Sequence, residues 1–100
     1  MISTRKSINF DNKHTFTIPI KWRKKFDIVE GVFVKIRVQN NYIFIEPSQE
    51  DTVDVLSIVG RRGSIYIPKE IRNYFHRKGM KKFYVYVDEG KQVIIMKPNI

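Results

Sequence analysis

The sequence predicts a mainly β fold with two short helices, an α+β class in the broad sense, assembled from two copies of one unit. Three observations predict it. The hydrophobic residues include 15 Ile and 10 Val beside one Leu and no Ala, and β-branched side chains lose rotamer freedom in helices while packing well on a pleated sheet. Val32, Val34, Ile36 and Val38 alternate with Phe33, Lys35 and Arg37, which is the period of a strand with one buried face. The third observation is an internal repeat. Phe16 to Phe26 lies over Ile65 to Phe75 at a constant offset of 49, so that Ile18 meets Ile67, Pro19 meets Pro68, Arg23 meets Arg72 and Phe26 meets Phe75. Further on, Val34, Ile36 and Val38 fall on Phe83, Val85 and Val87 at the same offset.

Each copy reads as strand, loop, strand, short helix and a two-stranded hairpin. In the first, Pro19 opens a helix over Ile20 to Phe26, because proline's locked φ and missing N–H are tolerated in a first helical turn. Asn40 and Asn41 then supply a hairpin turn, since asparagine accepts positive φ. Ser48 to Thr52 is polar and acidic, the expected linker. In the second copy Val53 to Val59 is a strand, Gly60 to Gly63 a basic turn and Ser64 to Ile67 a strand. Pro68 opens the helix Lys69 to Phe75, Gly79 stops it, and Asp88 to Lys91 turns a hairpin two residues longer than the first. Each copy ends in an apolar strand followed by Pro47 or Pro98. About 45 residues with one short helix cannot enclose a core. Residues 1–100 are therefore expected to form one domain from two interdependent repeats, 3–47 and 53–98.

Charge and composition narrow the function. Nineteen Lys and Arg against ten Asp and Glu give a formal charge of +9, spread as nine cations against five carboxylates in residues 1–50 and ten against five in residues 51–100. With no cysteine, disulfide frameworks, Cys-containing zinc sites and thiol nucleophiles are excluded. No apolar run reaches the ~18 residues of a membrane helix, and Met1 to Phe10 holds no secretory apolar segment. The expectation is a cytoplasmic protein, associated with the nucleoid or, for a viral source, with the host cytoplasm. His14 and His76 stand one in each half without a carboxylate cluster of ligand spacing, so no metal or cofactor is expected. No nucleophile is bracketed by a base, no Walker-type loop occurs, and no catalytic residue or small-molecule substrate is assigned.

The string Gly63 Ser64 Ile65 Tyr66 Ile67 Pro68 Lys69 Glu70 Ile71 Arg72, with Arg61 and Arg62 before it and a hairpin ending at Lys97 Pro98 behind it, resembles the AbrB/SpoVT and MazE type of transcription-factor domain. The resemblance runs from about Arg5 to Pro47 and from Val53 to Pro98, and its specific part is the second copy. It implies a swapped-hairpin β-barrel, in which two units interleave their strands and present two helices and two basic loops on one surface. Most members of that family take the second unit from a second chain. Here both units lie in one polypeptide, so the resemblance implies a single-chain pseudo-dimer, with pairing of two chains into a homodimer left open. The copies have diverged: Asn12, Lys13 and His14 stand where the second copy has Arg61, Arg62 and Gly63, and Lys21 stands for Glu70. Some members carry an arginine four residues before the proline, where this chain has Thr15 and Ser64.

A cationic stripe on a short helix is ordinarily solvated surface. Here the charge is one-signed in both halves and recurs at matching positions, which favours a polyanionic partner, double-stranded DNA. Each phosphate met by Lys or Arg releases condensed counterions, and the arginine fork and asparagine amide can also read base edges. Arg23, Arg72 and Asn73 are the candidates for base reading. Lys13, Lys21, Lys24, Lys69, Arg61 and Arg62 are candidates for phosphate contacts, and Ser64 offers a hydroxyl from the loop position. Trp22, Phe26, Tyr74 and Phe75 are expected in or beside the core. A general architectural nucleic-acid-binding protein is the alternative. An antitoxin-like module is a weaker one, because only Asn99 and Ile100 follow Pro98 and no tail is expected to wrap a toxin.

Overall fold

A computed structural model describes residues 1–48 and 55–99. Apart from Ser48, the expected linker lies outside the described residues, as do the first two positions of the strand expected at Val53 to Val59. The elements follow the expected order: β1 (Ile2–Asn9), β2 (Thr15–Thr17), α1 (Ile20–Lys25), β3 (Phe33–Gln39), β4 (Tyr42–Pro47), β5 (Val55–Ile58), a single 3-10 turn (Arg61–Gly63), β6 (Ser64–Tyr66), α2 (Lys69–Arg77), β7 (Lys82–Asp88) and β8 (Val93–Pro98). The structure is mainly β with two short helices. No helix among the described residues is long and apolar enough to cross a membrane.

Six strands form one antiparallel sheet in the order β1-β7-β8-β4-β3-β5, while β2 and β6 pair as a separate antiparallel ribbon. Exchange the two copies and that order reads the same from the other end. The first strand of each copy pairs with the hairpin of the other: Ile8 lies opposite Phe83 on β7, and Ser57 opposite Val34 on β3. The pseudo-two-fold relation holds residue by residue. Across the ribbon, Phe16 faces Ile65, flanked by Thr15 with Tyr66 and Thr17 with Ser64. Across the sheet centre, Phe44 faces Ile95, flanked by Ile43 with Met96 and Ile45 with Ile94. The Ile18 N–H donates to Gly63 O at 3.0 Å, and the Ile67 N–H donates to His14 O at 2.9 Å. The halves are thus tied by reciprocal main-chain hydrogen bonds, as interdependent repeats require.

The sheet is open. Strands β2 and β6 have three residues each and bond to one another, so neither bridges edge strand β1 to edge strand β5, and no closed barrel is seen among the described residues. Edge strand β1 carries a bulge. Between the pairs Ser3–Tyr86 and Lys6–Val85 it advances three residues while β7 advances one, Arg5 takes φ +60°, and the Thr4 hydroxyl donates to Val85 O at 2.8 Å.

Both helices begin directly after their prolines, but α2 runs to Arg77, past the expected Phe75, and has nine residues against six in α1. Each ends on a left-handed residue, Asp27 at φ +53° and Gly79 at φ +71°. The next N–H then reaches back five residues, from Ile28 to Arg23 O and from Met80 to Phe75 O, closing a Schellman turn. The longer second helix is offset by a shorter connection to its hairpin, so the offset of 49 is restored at β3 and β7, and the longer second turn makes it 51 for the last strands, β4 and β8. Asn40 at φ +52° and Asn41 at φ +65° make the first hairpin turn as expected.

One core joins both copies. Ile18, Ile36, Ile45, Ile65, Ile67 and Ile94 are fully buried, and Phe75 meets Phe83 edge to face with ring centroids 4.9 Å apart. Trp22 and Phe26 are buried, while Tyr74 packs at the margin of the core. The sheet sends one set of alternating side chains into this core, and the helices and ribbon cover it.

Candidate nucleic-acid interface

The ribbon organises the surface. Phe16 and Ile65 point inward, so period-two alternation turns Thr15, Thr17, Ser64 and Tyr66 outward. Four hydroxyl-bearing side chains therefore share the ribbon's outer face, with Ser64 the partner of Thr17. The matched arginines of the repeat lock onto the strand ends: Arg23 Nε donates to Ile18 O at 2.9 Å, and Arg72 Nε to Ile67 O at 3.0 Å. Each arginine satisfies a carbonyl that the preceding proline leaves outside a helix, and this holds its guanidinium beside the ribbon.

From there the two halves differ. Lys13 and Arg23 line an open groove of about 480 Å³ together with Lys6, and no carboxylate lines it among the described residues. Arg23 and Lys24 also border a cleft with Arg62 and Gly63, in which Glu30 is the one acidic residue. Arg72 and Asn73 line a smaller cleft of about 180 Å³ with His76 and Lys81, but Asp11 enters it and pairs with Lys81 at 3.2 Å. Lys21, Arg61 and Lys69 are exposed and stand apart from these clefts, Lys21 lying 5.0 Å from the Trp22 ring centroid.

Three departures from expectation follow from tertiary contacts. Arg72 is more committed than a free base-reading fork, because Nη2 donates to the Tyr66 hydroxyl at 2.7 Å while Nε holds Ile67 O. A bidentate approach to guanine through Nη2 would give up the tyrosine. Arg23 uses only Nε. The basic Gly60 to Gly63 turn spends part of its backbone on itself, the Gly60 N–H donating to Ser64 O at 2.8 Å and the Gly63 N–H to Gly60 O at 3.3 Å. Its offer to a ligand is the pair of exposed arginine side chains, with Arg62 in the left-handed region at φ +59°. The basic faces also carry more acid than the helices alone suggest: Glu89 pairs with Lys25 at 3.1 Å, beside Asp11 on Lys81.

Lys6, Thr17 and Tyr66 are the interface residues least evident from the sequence. The outward pair Thr17 and Tyr66 was legible as the alternating complement of Phe16 and Ile65. Lys6 stands in the sequence only as one of the basic pair Arg5 and Lys6, and its place opposite Val85, in register with Ser7 and Ile8, is what puts it in the groove. Comparison with known proteins finds no matching family model, curated protein or solved structure.

Proposed function

We propose that the chain is a DNA-binding transcriptional regulator built as an AbrB-like swapped-hairpin pseudo-dimer, contacting duplex DNA through the ribbon, the two helices and the basic turn. One observation carries this reading: reciprocal strand exchange sets two arginine-bearing units about a pseudo-two-fold axis on a chain of charge +9. Both units come from one chain, and a monomer suffices. Lys13, Lys21, Lys24, Lys69, Arg61 and Arg62 act on phosphates, while Arg23 and Asn73 are the freer base readers.

The commitment of Arg72 to Tyr66 favours a second reading, an architectural protein that binds nucleic acid without a preferred site. Fluorescence anisotropy on the intact chain separates the two. The probes are random duplex, duplex from upstream of its own gene and single-stranded RNA, each at low and moderate salt. Tighter binding to the upstream duplex supports the regulator. Equal, steeply salt-dependent binding to all three supports the architectural protein, and binding to none refutes both.

A further inference from the structure

We infer that the first half carries a phosphate-binding groove whose counterpart in the second half is closed by its own side chains. The groove between β1, β2 and α1 measures about 480 Å³ and is lined by Lys6, Ser7, Lys13, Thr15, Thr17 and Arg23, over an apolar floor that includes Phe16 and Ile18. Residues bearing three cations and three hydroxyls line it, and no carboxylate does among the described residues. Neither lysine has an ion-pair partner among the described residues, and Arg23 is held in place by Ile18 O with its terminal nitrogens uncommitted.

The pseudo-two-fold relation supplies an internal control. At the offset of 49 the same positions hold Val55, Leu56, Arg62, Ser64, Tyr66 and Arg72. Val55 removes one cation and Leu56 one hydroxyl. Tyr66 replaces Thr17 with a ring whose hydroxyl accepts from Arg72, and the guanidinium carbon lies 5.4 Å from the ring centroid. In that half the guanidinium is satisfied internally. In the first half, equivalent backbone leaves Lys6 and Lys13 exposed along an open groove.

The donor set selects the ligand. A carboxylate offers two oxygens in one plane, half of whose acceptor sites a bidentate guanidinium takes, whereas the tetrahedral oxygens of a phosphate spread enough acceptors to meet ammonium, guanidinium and hydroxyl donors from several sides together. The apolar floor suits the carbons of an attached sugar. Two sources share this chemistry, a phosphodiester of the nucleic-acid backbone and a small phosphorylated molecule. The first rests on and deepens the proposed function, since Lys13 contacts phosphate in both, while Arg23 would meet the backbone here rather than a base edge.

The test is an amide-resolved NMR titration of the intact chain with inorganic phosphate, with a nucleoside 5′-monophosphate and with duplex DNA. Saturable shifts at Lys6, Ser7 and Lys13 under the phosphate probes, absent at the equivalent Val55, Leu56 and Arg62, are expected, the ribbon residues being left out because they pair with one another across the halves. Thr17→Tyr, on the exposed ribbon face, should abolish them, and Lys13→Ala should weaken phosphate about tenfold, the loss of one charge-assisted contact. Tyr66→Thr should bring shifts to the second half. Equal shifts in both halves, no saturable shift, or shifts that survive Thr17→Tyr in a well-folded protein overturn the groove. Phosphate bound in the groove by a protein that does not bind duplex leaves the groove standing with a small-molecule ligand and removes the proposed function. Duplex binding unaffected by Thr17→Tyr, without phosphate shifts, does the reverse.

Discussion

Replacing Gly63 by alanine probes the contact that joins the basic turn of one half to the helix of the other. Gly63 takes φ +76°, and a Cβ there would overlap Cδ of Arg23 and lie 2.5 Å from its Nε. Alanine in this left-handed conformation costs about 1 kcal/mol. The arginine must also swing away and give up its 2.9 Å bond to Ile18 O, worth about 1–2 kcal/mol at a partly exposed site. The expected loss is about 2–3 kcal/mol, or roughly 10–20 °C in Tm for a domain of this size. Gly79→Ala is the matched control, because Gly79 has φ +71° with nothing within 4 Å of the added Cβ, so only the backbone cost of about 1 kcal/mol remains. Urea denaturation of both variants measures the difference. Equal losses would refute the claim that Arg23 is seated against Gly63. In duplex-binding assays Gly63→Ala should also fall below Gly79→Ala, since the arginine it dislodges is a proposed base reader.

Other perturbations test the core and the interface separately. Phe75→Ala removes a fully buried ring packed on Phe83 and should cost about 3–5 kcal/mol in the same denaturation assay. Arg61→Ala with Arg62→Ala should change stability by less than about 0.5 kcal/mol, as both are exposed, and lower the slope of log affinity against log salt by about 2 for every duplex alike. Asn73→Ala should leave the salt slope unchanged and cost about 1–3 kcal/mol of discrimination between preferred and random duplex. Tyr66→Phe removes the acceptor of Arg72 Nη2 and should free that guanidinium, so duplex affinity should hold or rise while Arg72→Ala lowers it.

Much of the architecture was legible because it depends on local chemistry repeated twice. Pro19 and Pro68 fit the first turn of the short helices that follow them, Asn40 and Asn41 turn a hairpin, and alternating Val and Ile define strand faces, each through backbone sterics or side-chain period. The offset of 49 added the one long-range statement the chain makes about itself, that equivalent residues occupy equivalent places. Arg23 and Arg72 do so, each on the carbonyl of the isoleucine before its proline. Which residues would be neighbours across the halves was a different matter. That Gly63 lies under Arg23, that Asp11 reaches Lys81, that Lys6 lines a groove with Lys13 and Arg23 and that Tyr66 occupies Arg72 are products of strand exchange and register. Sequence by itself determined the repeated units, their element order and the residues with charge to offer. Only the tertiary structure decided which of those charges face open space and which are already satisfied, because pairing energies depend on separation in space, which chain offset leaves open.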